Sequence, residues 1–78
     1  MTAAERLAGM RAMTRSGEAR AVRLASCLSM HDVGRSVGVD TSTVGRWERG
    51  ERLPKGEPAA RYAALLTRLA AVAERRSP

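Results

Sequence analysis

Apolar residues in the last third of the chain recur at the spacing of an α-helix. When successive residues are turned by about 100°, six of them fall within an arc of about 120°, which is wide enough to face a core. Pro58 suits the first turn of this helix, where its missing N–H is not needed. The pattern predicts a helix over 57–75 whose inner face carries Tyr62, Leu65, Leu66, Leu69, Val72 and Ala73.

The middle of the chain carries start and stop signals for two short helices. Ser29 and Asp32 have the spacing of a capping box, which predicts that a helix begins just after Ser29. Gly38 favours the left-handed conformation that ends helices. Asp40 is a good N-cap for a second helix over 41–49.

The apolar residues of this region fit two helices that cross closely. Gly34 lies one turn before Gly38, and its missing side chain lets the two helices approach each other. Two short helices joined by a tight glycine turn predict a helix-turn-helix over 29–50. The apolar positions expected at its centre are Val33, Val37, Val44 and Trp47.

The N-terminal third predicts two more helices. Thr2 and Glu5 form another capping-box spacing, which favours a helix over 3–13 followed by a break over 14–17, or a helix that continues through it. A second helix is expected over 18–27. Its candidate buried side carries Val22, Leu24 and Ala25, and Cys27 is expected to be a small buried residue.

Composition excludes several classes of protein. The 78 residues suffice for one domain but not for most metabolic enzyme folds. One Cys and one His exclude disulfide staples and a zinc cluster. No stretch approaches 18 apolar residues, so we expect a soluble protein of a reducing compartment with no membrane partner. Without a catalytic constellation or metal-ligand spacing, we expect no enzyme, cofactor, metal or small-molecule ligand.

The net charge of +6 points to a polyanionic partner. All basic residues except Lys55 are Arg, whose planar fork fits phosphate and guanine well. The abundance of Ala, Arg and Gly is also typical of a GC-rich genome, which would explain the preference for Arg and suggests a bacterium, its phage or its plasmid.

The stretch from Leu28 to Gly50, LSMHDVGRSVGVDTSTVGRWERG, resembles the helix-turn-helix of the Cro and phage-repressor type. The run from Gly38 onward is very close to that family's pattern, and a looser resemblance extends from Glu18 through the last helix. Residues 1–15 are not covered. The family often has Gln where this chain has Met30, and its usual fifth helix is missing or merged.

The resemblance implies an all-α, lambda-repressor-like domain of four to five helices spanning 1–78. It has a central helix-turn-helix, a last helix over 57–75 and an additional N-terminal helical extension over 1–15. It also implies a structural ion pair between Arg23 and Glu48 beneath the motif. Gly38 and Trp47 are expected to be structural residues as well.

The resemblance further implies that the second motif helix lies in the major groove of double-stranded DNA. Arg46 is the best candidate for reading a base, because a bidentate Arg–guanine contact is the commonest specific one. Gly45 would let the backbone approach the DNA. The residues expected to face the bases are Thr41, Ser42, Gly45 and Arg46. The residues expected at phosphate are Ser29, Met30, His31, Arg35, Arg49, Arg52 and Lys55.

The function expected from these observations is sequence-specific DNA binding by a small Cro-like transcriptional regulator or repressor. It would act as a homodimer, at least on DNA, in the cytoplasm of a bacterial cell or infected host, associated with the nucleoid. One alternative is an excisionase-like recombination-directionality factor or an antitoxin-type DNA binder. Another, of a different class, is a protein-interaction module that grips a host protein through the N-terminal segment.

Overall fold

The computed structural model describes the backbone of residues 1–76 and the side chains of residues 1–75. This part of the chain consists of five helices and contains no strand, which confirms the all-α, lambda-repressor-like prediction. None of these helices is long and apolar enough to cross a bilayer. The helices are α1 (Ala3–Ser16), α2 (Glu18–Ala25), α3 (Met30–Val37), α4 (Thr41–Glu48) and α5 (Gly56–Arg76).

A single glycine joins α1 to α2. The predicted capping box is present, since Thr2 Oγ1 accepts from Glu5 N–H at 3.1 Å and Glu5 accepts from Thr2 N–H at 2.8 Å. The predicted break is confined to Gly17, whose φ of 86° is left-handed. The helix therefore continues through Ser16, three residues beyond the predicted end, and the next helix begins at once.

The buried side of α2 differs from the prediction. Leu24 is 48% exposed and Ala25 is exposed, whereas Ala19 and Arg23 are buried and Val22 is partly buried. The reason is that α2 turns its arginine inward to an ion pair, and this rotates Leu24 toward the surface. A count of apolar residues could not anticipate a buried charge.

The turn between α2 and α3 also corrects a prediction. Cys27 is exposed rather than buried, and its φ of 57° is left-handed. The helix ends at Ala25, two residues before the predicted end, and the chain reverses at Cys27 so that Leu28 turns back against the core.

The motif helices pack as predicted. Val33 and Val37 of α3 and Val44 and Trp47 of α4 are all at most 3% exposed. The space at Gly34 is limited by the turn itself, because a Cβ there would lie 2.7 Å from the carbonyl oxygen of Val39.

The last helix is one continuous helix of 21 residues. Its N-terminal half supplies the core residues Ala59, Tyr62, Ala63 and Leu66. The predicted inner face fails at its far end, because Val72 is 44% exposed. Val72 is therefore not covered by the core at the C-terminal end of α5.

The N-terminal helix is part of the core rather than an appendage. α1 packs against α5 and α2, and Met10 is 2% exposed within the same hydrophobic cluster as Tyr62 and Leu66. The segment predicted as an extension over 1–15 therefore contributes to folding.

Candidate nucleic-acid interface

The start of α3 is fixed by reciprocal hydrogen bonds. Ser29 Oγ accepts from Asp32 N–H at 3.0 Å, and Asp32 accepts from Ser29 N–H at 2.9 Å. The second of these bonds holds the pKa of the Asp32 carboxyl below its ordinary value. The predicted capping box is present, and α3 then ends at Gly38, which is left-handed with a φ of 82°.

The start of α4 is capped by Asp40. Its carboxylate accepts from Thr43 N–H at 2.8 Å, as predicted for an N-cap. Hydrogen bonding with Thr43 lowers the pKa of Asp40, and the positive charges of Arg46 and Arg52 lower it further.

Three of the four residues predicted to face the bases are exposed on α4: Thr41, Ser42 and Arg46. The guanidinium of Arg46 takes part in no ion pair or hydrogen bond among the side chains of residues 1–75. Arg46 is thus held at the surface by its helix alone and is free to meet a ligand.

Gly45 does not lie as expected. It is buried, and a Cβ there would lie 3.0 Å from an Nη of Arg49 and 3.4 Å from the Sδ of Met30. Its outward face is covered because Arg49 folds back over it while Met30 reaches it from α3. Gly45 therefore brings the end of α4 against the start of α3.

The residues predicted at phosphate lie at the start of α3, within α3 and in the segment that follows α4. Six are exposed and one, Met30, is partly buried and packs against the core. Met30 can offer its backbone N–H at the helix start rather than its side chain. The exposed six are Ser29, His31, Arg35, Arg49, Arg52 and Lys55.

Sequence reasoning missed an acidic partner at this surface. Arg49 Nε donates to Glu51 Oε2 at 2.6 Å, which raises the pKa of Arg49 and lowers that of Glu51. Both side chains are more than half exposed. Water competes at such a pair, so Arg49 can exchange the carboxylate for another anion.

Comparison with protein families identifies the family to which this chain belongs. The family model described as Helix-turn-helix matches residues 20–68, more than half of the chain, including α3 and α4 in full. The chain belongs to the Cro/C1-type helix-turn-helix family. It is a DNA-binding regulatory family. In helix-turn-helix proteins the second helix of the motif is called the recognition helix, and α4 holds that position here. No curated protein and no solved structure matches the chain.

The helix-turn-helix rests on a buried ion pair. Arg23 Nε and an Nη donate to the two carboxylate oxygens of Glu48 at 2.6 and 3.0 Å, and the other Nη donates to the carbonyl of Leu28 at 3.0 Å. The side chains are only 8% and 5% exposed. The expected pair is therefore confirmed, and it joins the end of the recognition helix to α2.

An aromatic contact supports the other side of the recognition helix. The rings of Trp47 and Tyr62 lie 4.7 Å apart, centroid to centroid, at 35°. The Tyr62 hydroxyl is buried and has no hydrogen-bond partner among the residues that the structure describes. Burial, followed by the charge of Glu48, raises the pKa of Tyr62. Trp47 is thus a core residue, and the recognition helix is fixed to both α2 and α5.

Proposed function

We propose that this chain is a small Cro-like transcriptional regulator that binds a specific sequence of double-stranded DNA. The observation that carries the proposal is Arg46, whose exposed guanidinium has no partner among the described side chains. It lies on α4, which the Arg23–Glu48 ion pair and the Trp47–Tyr62 contact hold against α2 and α5. Arg46 reads a guanine through paired hydrogen bonds. Thr41 and Ser42, at the start of the same helix, contact neighbouring base edges or a phosphate.

The phosphates are held beside the recognition helix. The start of α3 offers free backbone N–H groups and the positive end of its dipole, which favour an anion. Arg49 lies at this end of α3 because Gly45 leaves space for it. Arg35, Arg52 and Lys55 supply further cations, which position the protein without reading sequence.

Two copies bind one site in this proposal. A single helix-turn-helix makes few base contacts, and paired half-sites lie about 34 Å apart along the DNA. The domain measures 35 × 28 × 21 Å, so two copies fit side by side at that spacing without a linker. The candidate contact surfaces are α1 and the outer end of α5, where Val72 is 44% exposed.

The test is selection of sites from a random DNA library, followed by titration of the selected duplex and a scrambled one at 50 and 200 mM salt. Arg46→Ala should remove about 1–3 kcal/mol of discrimination between the two duplexes. Arg20→Ala is the matched control, because it removes the same charge from an exposed position on α2. Equal, salt-sensitive binding to both duplexes by the native chain would contradict sequence reading.

The same selection separates the other candidate roles. A palindromic motif supports a dimeric regulator, whereas several direct repeats would indicate an excisionase-like recombination factor. Absence of any DNA affinity would leave a protein-interaction module, with α1 as the surface to examine.

A further inference from the structure

The N-terminal helix reaches the loop that follows the recognition helix. Arg11 of α1 donates to the carbonyl oxygen of Pro54 twice, from Nε at 3.2 Å and from an Nη at 2.9 Å. The two residues are 43 positions apart in the chain. Since the family match begins at residue 20, α1 and Arg11 lie outside it.

The loop between α4 and α5, residues 49–55, carries three of the candidate phosphate contacts: Arg49, Arg52 and Lys55. Its first part is held by the end of α4, because Gly50 and Glu51 N–H groups donate to carbonyls of that helix at 3.1 and 2.9 Å. Arg52 and Lys55 lie beyond those bonds. Their backbone position depends on the far end of the loop.

Pro54 is the anchor of that far end. It is less than 2% exposed, and a proline has no N–H, so its carbonyl is the only backbone group through which it can hydrogen-bond. Pro58, four residues on, has no N–H to offer it either. The guanidinium of Arg11 supplies the two hydrogen bonds, and a buried carbonyl without them would be costly.

We propose that Arg11 is a positioning residue for DNA binding: it holds the loop 49–55 so that Arg52 and Lys55 meet the phosphate backbone. This inference rests on the proposed function. Arg11 does not contact DNA itself, because its guanidinium is engaged at Pro54 and partly buried. α1 thereby becomes a part of the DNA-binding apparatus without entering either groove.

The first experiment compares Arg11→Ala with Arg20→Ala, which removes the same charge from an exposed position on α2. Amide hydrogen exchange of the full chain should accelerate at residues 50–55 in Arg11→Ala alone, with α3 and α4 unchanged. Affinity for a mixed-sequence 24-base-pair duplex at 0.1 M salt should fall on the order of tenfold, since one phosphate contact is worth about eightfold there. Arg20→Ala should change neither quantity by more than about twofold.

The conservative variant separates geometry from charge. Arg11→Lys keeps the charge but cannot make both bonds to Pro54, so it should restore only part of the affinity. Full recovery of affinity while residues 50–55 still exchange quickly would assign the effect to charge and overturn the inference.

A background with a neutral loop gives the decisive comparison. In Arg52→Ala/Lys55→Ala, adding Arg11→Ala should weaken DNA binding less than about twofold, because the residues on which Arg11 acts are gone. An undiminished loss in that background would mean that Arg11 acts elsewhere and would overturn the inference. All affinities are measured at a temperature at which circular dichroism shows each variant folded.

The failure of the inference differs from the failure of the proposed function. If the native chain does not bind duplex DNA, both are wrong. If the native chain binds and Arg11→Ala binds equally well, only the inference is wrong.

Discussion

The buried pair of Arg23 and Glu48 offers the most direct test of how the helix-turn-helix is held. Both carboxylate oxygens accept from the guanidinium at 2.6 and 3.0 Å, and less than a tenth of either side chain is exposed. Breaking such a pair from one side costs about 3–5 kcal/mol, because a charge remains buried without its partner. A domain of 78 residues has a total stability of roughly 4–12 kcal/mol at 0.05–0.15 kcal/mol per residue.

Glu48→Gln and Arg23→Met should therefore each remove a large share of the free energy of unfolding. The Arg23 variant also leaves the carbonyl of Leu28 without the donor that lies 3.0 Å away. The double variant Arg23→Met/Glu48→Gln should lose less than the sum of the two single variants, since no unpaired charge is left. Urea unfolding followed by circular dichroism at 222 nm measures all of these differences.

The exposed pair of Arg49 and Glu51 is the matched control. Its Nε–Oε2 distance is the same, 2.6 Å, but both side chains are more than half exposed. Breaking it should leave the urea midpoint unchanged within error, and raising the salt concentration should weaken it. The reasoning would be refuted if Glu48→Gln cost less than about 1 kcal/mol, or if 0.5 M salt removed the coupling between Arg23 and Glu48.

Three further predictions concern stability and are measured by the same unfolding assay. Gly34→Ala should lower the free energy of unfolding by about 1–3 kcal/mol, because its Cβ would lie 2.7 Å from a backbone oxygen. Gly9→Ala, in open space on α1, should raise it by about 0.5–1 kcal/mol. Equal effects of the two variants would contradict the packing described at Gly34. Tyr62→Phe removes a buried hydroxyl that has no hydrogen-bond partner within residues 1–75, and it should stabilise the fold by about 1 kcal/mol; a loss of that size would show that the hydroxyl is satisfied. Because the pKa of Asp40 is lowered from 3.8 in the folded chain, its contribution is present above that pH and is lost as pH falls below it. Asp40→Asn, which caps without titrating, should flatten the acid side of the stability profile, and an unchanged profile would count against this cap.

The helix-turn-helix could be predicted because its signals are local. Ser29, Gly38 and Asp40 act on backbone groups within four residues of themselves, so their types determine where helices begin and end. The exposure of Ser42 and Arg46, the positions predicted to face the bases, follows from the helical period once those ends are known.

The rest depends on contacts that no short-range pattern encodes. The family resemblance implied the pair of Arg23 with Glu48, 25 residues away, but the spacing of apolar residues in α2 did not. Burial of Arg23 on that side of the helix leaves Leu24 exposed, where the spacing predicted that it would be buried. Helical geometry alone predicted that Gly45 faces outward, but the flexible side chains of Arg49 and Met30 cover it. The bond from Arg11 to Pro54 spans 43 residues and leaves no trace in the spacing of either segment.

Because α1 packs against α5, the segment that folds as one unit is longer than the segment that matches the family. The segment that matches the family, residues 20–68, ends inside α5 and omits α1 entirely. Met10, which lies outside the segment, is part of the single hydrophobic cluster that also holds Tyr62 and Leu66. A fragment trimmed to the matched residues would thus carry every predicted base contact on an incomplete core, so an inactive fragment would report on its folding rather than on its ability to read DNA.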